Sequence, residues 1–178
     1  MKKILFIALL LAPLFLYSQT TTKIDDTFFG LRFGNAYSEK EIKTKMDQGG
    51  NHIISSIKVP ACSFLFSNVK FSETSWDLVT FSTKTRYEEI PGILYNVSFM
   101  QSNESKSQRD STFDSLEKSL TTKHGEGLKN ETGEMFLWFD GERSINLCKV
   151  DSEANGKQSY GIILTFCDEN ISLKPSDF

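Results

Sequence analysis

Catalysis near neutral pH most often draws on a histidine or a thiol. The sequence holds two histidines, His52 and His124, and three cysteines, Cys62, Cys148 and Cys167. His52 follows Gly49-Gly50-Asn51, a polar turn, with no cysteine or second histidine close by. His124 closes a helical segment, where its partial positive charge suits the negative end of the helix dipole. A Cys-His nucleophile pair could use Cys62, but Cys62 alternates with Phe64 and Phe66, the pattern of a core position. No H-E-x-x-H, C-x-x-C or G-x-S-x-G occurs. Glu88-Glu89 and Asp168-Glu169 are adjacent carboxylates, and neighbours on a strand point to opposite faces. An acid/base couple needs carboxylates that converge on a substrate. Asp25-Asp26 and the scattered acids lack the D-x-D-x-D-G calcium loop. The sequence therefore predicts no enzyme, no cofactor and no metal site. The alternative is a small periplasmic hydrolase or ligand carrier with an unrecognised site, for which a deep pocket holding His52 or His124 beside a carboxylate would speak.

One stretch invites a nucleotide reading. In "FFGLRFGNAYSEKEIKTKM", residues 28–46, an apolar run with two glycines leads into a helix. A phosphate loop would follow its glycines with Gly-Lys-Ser/Thr, whereas Gly34 is followed by Asn35-Ala36-Tyr37. A dinucleotide fingerprint needs G-x-G-x-x-G, and Gly30 and Gly34 are four apart with no glycine between them. The glycines read as a structural joint. Ser38-Glu39-Lys40-Glu41 fits a capping box, with Tyr37 and Ile42 at the positions of a hydrophobic staple. Gly49-Gly50 ends that helix.

The elements that must position any site read mostly as strands. Alternation marks strands near 62–71, 75–83 and 92–101, then near 134–139, 143–150 and 158–167. Asp140-Gly141 and Asn155-Gly156 supply hairpin turns. A second helix spans 107–123, with Phe113, Leu116 and Leu120 as its apolar stripe and Gly125 as its stop. Each half then reads as a helix followed by about three antiparallel strands. The fold class expected is α+β: two helix-plus-three-strand repeats, about 28–101 and 102–167, forming one antiparallel sheet with helices on one face.

The N-terminus has its own signature. Met1-Lys2-Lys3 precedes an almost wholly apolar run, Ile4 to Leu16, and polar residues follow from Ser18. Thirteen residues are short for a bilayer span, which predicts a cleaved signal peptide over residues 1–19 and a single domain over 20–178. The expected location is periplasmic or secreted, with no integral membrane segment after cleavage. Formal net charge is −3, and losing Lys2 and Lys3 leaves 18 basic residues against 23 acidic ones, about −5. With no basic stripe, nucleic acid is excluded as an expected partner.

Three stretches carry a resemblance. "FFGLRFGNAYSEKEI" is similar to the opening motif of a family of small exported proteins of Gram-negative bacteria. "FSNVKFSETSWDLVTFS" resembles that family's central strand pair, and "FDSLEKSLTTKHGEG" its L-x-x-x-L-x-x-K-Y-G segment. His124 stands where the family usually has tyrosine, and Glu126-Gly127 where a proline is common. These proteins resemble the helix-plus-sheet repeats of β-lactamase-inhibitor-like modules and of the small lipoprotein of the outer-membrane assembly machinery. The resemblance implies an exported, non-catalytic binding or scaffolding module of the cell envelope, holding a protein partner. Trp76 and Trp138 are the candidate partner-binding residues if they face outward, and core residues if they do not.

The cysteines allow a geometric expectation. If Asn155-Gly156 is a two-residue turn, opposed residues on the flanking strands sum to 311. Cys148 then faces Ile163 and Cys167 faces Ser144, which places the thiols on one face about 13 Å apart along the strand. A disulfide tolerates Cα atoms at most about 7 Å apart, so Cys148 and Cys167 are not expected to bond. Any disulfide would have to recruit Cys62.

Overall fold

The computed structural model describes residues 22–47, 52–59, 61–84, 91–154 and 156–172. The expected leader, residues 1–19, lies outside them, as do Gly49-Gly50 and Glu88-Glu89.

The chain enters through a strap whose conformation explains the two glycines. Strands β1 (Thr27–Phe28) and β2 (Leu31–Arg32) pair antiparallel, with Phe28 opposite Leu31. The two residues between them, Phe29 and Gly30, both have positive φ, +53° and +76°. That is the backbone of a two-residue hairpin turn whose twist matches the strands. Glycine takes such a φ without penalty, and Phe29 takes it because its ring packs against Phe71, Phe81 and Phe99. Gly34, at φ +82°, turns the chain again into β3 (Ala36–Tyr37). The glycines are turn residues.

Helix α1 (Glu39–Asp47) follows directly. Its capping box is formed: Ser38 N–H donates to Glu41 Oε2 at 2.7 Å, and Glu41 N–H donates to Ser38 Oγ at 3.3 Å. Ile42 and Met46, one turn apart, are its buried face.

The sheet dominates the molecule. Strands β4 (His52–Val59), β5 (Ala61–Phe71), β6 (Thr74–Lys84) and β7 (Gly92–Asn103) precede helix α2 (Lys106–His124). Strands β8 (Leu128–Lys129), β9 (Met135–Phe139), β10 (Arg143–Ala154) and β11 (Lys157–Asp168) and the four-residue helix α3 (Glu169–Ser172) follow it. The strands form one antiparallel path, β4-β5-β6-β7-β11-β10-β9-β8, with β3 also paired to β7. The β10–β11 register is the expected one, with Cys148 opposite Ile163 and Ser144 opposite Cys167.

The expected α+β fold of two helix-plus-three-strand repeats is overturned by this arrangement. Over the described residues the protein is mostly β, an eight-strand antiparallel path with three short helices. Four strands of eight to twelve residues precede α2, whereas the stretch after it starts with strands of two and five. The sequence concealed β4. "HIISSIKV" breaks strict alternation, and the β4–β5 register shifts between Ile53 and Ser55, the mark of a bulge. His52, read as following a turn, is the first residue of β4 and pairs with Ser67.

One face of the sheet is closed by the strap, α1 and α2 over an aromatic core. Phe28 sits 4.8 Å from Phe166 and 5.4 Å from Phe33 between ring centroids, and Phe71 stacks on Phe99 at 4.5 Å. Such pairs contribute about 0.5–1.5 kcal/mol beyond burial alone. Helix α2 is anchored at both ends. Ser105 caps it, accepting from Gln108 N–H at 3.2 Å, and Gly125 ends it with N–H to Thr121 O at 2.9 Å. Near its start, buried Arg109 is paired with Asp110 and with Asp151 of β10, and lies over the Tyr160 ring of β11.

Asp140 ties the strap to the sheet. Its Oδ1 accepts from Glu142 and Arg143 N–H in the β9–β10 turn, and its Oδ2 accepts from Ile24 N–H at 2.8 Å. Burial pushes its pKa up, but these three N–H donors and the Arg143 charge outweigh it and hold the carboxyl below the usual range.

Candidate functional site

Neither candidate tryptophan reaches the surface. Trp76 on β6 is 1 % exposed, tilted against Phe99 at 5.4 Å. Trp138 on β9 is 3 % exposed, stacked with Phe136 at 5.8 Å, and its Nε1 donates to Gly125 O at 2.9 Å. Gly127 lies so close to that indole that a Cβ there would come within 2.7 Å of it. Both indoles fill the core, and an exposed Trp76–Trp138 anchor pair is ruled out by their burial.

The sheet face opposite the aromatic core has another composition. Residues in register share a face, so pairings across β6, β7, β11, β10 and β9 trace the row Leu78, Met100, Ile163, Cys148, Met135. Beside it runs Leu65, Thr80, Ser98, Thr165, Asn146, Leu137, continued onto β8 by Leu128. A third row is Ser63, Ser82, Asn96, Cys167, Ser144, Phe139. No residue of the three rows is charged. The hydroxyls satisfy one another, Ser98 with Thr165 at 3.0 Å and Ser63 with Ser82 at 3.3 Å.

The apolar weight of this face lies at one end. The exposed large hydrophobic residues among those described are Leu128, Met135, Phe139 and Val150, between 37 % and 72 % exposed. All four fall on this face, on β8, β9 and β10. At the other margin α3 covers one edge: Ser144 Oγ bonds Glu169, and Lys84 Nζ donates to Ile171 O and Ser172 O at 2.6 Å. Helices therefore touch both faces, against the expectation that they keep to one.

Cys148 and Cys167 are free thiols on this face, each half-buried. Burial raises both pKa values, and for Cys167 the nearby Glu169 charge adds to it. Neither is poised as a thiolate nucleophile. The side chains of Cys62 and His52 lie outside the described residues.

A concavity opens on the core side, between α2 and the β5–β6 hairpin, with a volume of about 370 Å³. Its apolar floor is Phe71, Trp76, Leu164 and Phe166. His124 and Asp25 both line it. His124 is 4 % exposed, and its Nδ1 lies 3.0 Å from Thr22 O; a carbonyl only accepts, so Nδ1 carries the proton. Asp25 is held by Lys123 Nζ at 2.6 Å, so it does not orient the imidazole. The adjacent acids serve local structure: Asp168 Oδ1 accepts from Ile171 N–H, and Asp26 pairs with Arg32 and Arg143. Among the described residues no group of three His, Cys, Asp or Glu could hold a metal, and no helix is long and apolar enough to cross a membrane.

No family model, curated protein or solved structure matches this chain. The likeness to exported Gram-negative proteins rests on its three sequence stretches alone.

The sequence signal for the outer patch was available. In "MFLWF", residues 135–139, every residue is apolar, so both faces of a strand must be apolar. Phe136 and Trp138 take the core side, which leaves Met135, Leu137 and Phe139 outside.

Proposed function

We propose that this protein is an exported, non-catalytic binding module of the cell envelope that holds a protein partner on the uncharged rows of its outer sheet face. The observation that carries this reading is the gathering of Leu128, Met135, Phe139 and Val150 on one end of that face. Solvent-facing hydrophobic side chains are ordinary when scattered, and a contiguous set beside an uncharged surface marks an interaction site. Apolar centres with few charges are also the composition of interface cores. The basic, apolar and polar order of the first nineteen residues supports export, as do the three stretches that resemble exported proteins.

Photocrosslinking tests the reading. A benzophenone amino acid at Phe139 is expected to trap one defined envelope protein, and the same probe at exposed Asp114 on α2 none. The crosslink should disappear with Met135→Lys. Equal products from both positions, or none from Phe139, overturn the assignment. N-terminal sequencing of the exported chain should begin near Gln19 or Thr20, and an intact Met1 in that pool would refute cleavage.

A ligand carrier is the second reading, favoured by the cleft under α2. Hydrolysis has less support, because the Thr22 carbonyl engages His124 Nδ1 and Lys123 engages Asp25.

A further inference from the structure

We infer that the open edge of β10, residues 150–154, pairs with an extended segment of a partner protein whose side chains alternate apolar and basic. This deepens the binding-module reading above, on which it rests, by naming how the partner is held and what its chemistry is.

Strand β10 outruns one of its two neighbours. It pairs with β11 along its whole length, from Arg143 opposite Asp168 to Ala154 opposite Lys157, with no shift of register. Strand β9 covers the other side only from Ser144 to Cys148, and the contact ends where Lys149 N–H donates to Glu134 O at 2.9 Å. Backbone groups alternate sides along a strand, so Asp151 and Glu153 aim theirs as Lys149 does, away from β11. No described strand pairs with β10 on that side beyond Lys149. A row of free N–H and C=O groups is a template for a further strand, and main-chain pairing of this kind is a recurring mode of peptide recognition.

The side chains beside this edge set the sequence it accepts. An added strand continues the line of β9, so its residues opposite Val150 and Ser152 fall on the outer face. There they extend the apolar patch, beside Val150 and Met135, 37 % and 41 % exposed. Residues opposite Asp151 and Glu153 fall on the α2 side. Four acids stand there, Asp110, Glu134, Asp151 and Glu153, against Arg109 and Lys149. Asp110 and Asp151 are paired with those two cations, whereas Glu134 and Glu153 have no ion-pair partner among the described residues. Opposite charges directly across a strand pair are favourable and like charges are not, so basic side chains suit these positions. The same rule bars a second copy of this chain. Two such edges paired antiparallel about Ser152 would set Asp151 against Glu153.

The test follows amide hydrogen exchange of the 15N-labelled exported protein with a short peptide of alternating lysine and valine. Saturable binding is expected, with exchange of the Asp151 and Glu153 amides slowed about tenfold or more. The same peptide N-methylated at its lysines keeps its charge but loses the N–H groups that face β10, and should not bind. Glu153→Pro removes one donor at an edge position where a strand tolerates proline, and should weaken binding about fivefold, the worth of one net hydrogen bond. Protected Val150 and Ser152 amides would show that its β10–β11 ladder is intact. Equal binding of the N-methylated peptide, unchanged exchange at Asp151 and Glu153, or unchanged affinity in Glu153→Pro overturns strand addition. A glutamate–valine peptide that binds as tightly overturns the basic partner. Slow exchange of both amides in the free protein that quickens on dilution assigns the edge to a second copy instead. If no peptide binds, the inference falls alone, because the crosslink from Phe139 judges the patch without the edge.

Discussion

Phe99 and Met100 are consecutive residues of β7, yet they belong to two different surfaces. Phe99 is fully buried among Phe28, Phe71, Trp76 and Phe166. Met100 sits half-buried on the opposite face between Leu78 and Ile163. The closed face is built from interlocking rings brought by the strap and the sheet, so its composition is dictated by packing. The outer face carries serine, threonine and asparagine with a band of aliphatic and sulfur side chains, a composition that packing of the monomer does not demand. The contrast separates residues that make the fold from residues free to serve a partner.

The largest expected effect is on the closed face. Phe99→Ala should cost about 3–5 kcal/mol of stability by urea unfolding, through lost transfer energy and a cavity. A loss near 1 kcal/mol would mean that the aromatic core is loosely packed and the contrast false.

Next comes the link between strap and sheet. Asp140→Asn keeps the shape but sets an amide N–H₂ or a single oxygen against three backbone donors, and should cost about 1–3 kcal/mol near neutral pH. Asp140 and Asp26 both have pKa values below the ordinary 3.8; for Asp26, bonds from Thr27 and Arg32 overcome the opposing effect of burial. The folded protein thus binds fewer protons than the unfolded chain, and these carboxylates stabilise it fully above pH 3.8. Their contribution is lost as pH falls through the lower folded values. Urea midpoints of the parent protein should therefore drop steeply below about pH 4, and the gap to Asp140→Asn should narrow there. A constant gap down to about pH 2 would remove the charge argument.

On the outer face the effect on stability should be small. Met100→Ala should cost about 1 kcal/mol or less, since part of the side chain is already in water. Phe139→Ser, at a side chain 52 % exposed, should leave the unfolding midpoint within about 0.5 kcal/mol while weakening any partner complex. If Phe139→Ser unfolds the monomer, the patch is part of the fold and not a docking surface.

The smallest effect expected is chemical. Cys148 and Cys167, with thiol pKa values raised by burial, should react with a maleimide more slowly than an unperturbed thiol at the same pH. Mass analysis without reductant should show no bond between them, because the β10–β11 register holds them four residue pairs apart. A Cys148–Cys167 bond would require a shifted strand pairing and would redraw the outer face.

The sequence by itself determined the local features, because their causes are local. Ser38 and Glu41 cap α1 through side chains within one turn of each other, Gly30 and Gly34 meet left-handed turns, and the pairing of Cys148 with Ile163 is the one a two-residue link between β10 and β11 predicts. Alternation located six strands and their hairpins for the same reason. What required the tertiary structure was every decision between distant elements. Strand β4 was hidden because its bulge spoils the period and only pairing with β5 makes "HIISSIKV" a strand. The balance of strand over helix turned on that missing strand and on the joining of β7 to β11, a pairing between residues about sixty apart in sequence. Sequence could say that Trp76, Trp138 and Phe139 lie on strands. Which of them faces water depended on where the strap, α1 and α2 settle, and that choice belongs to packing across the whole chain.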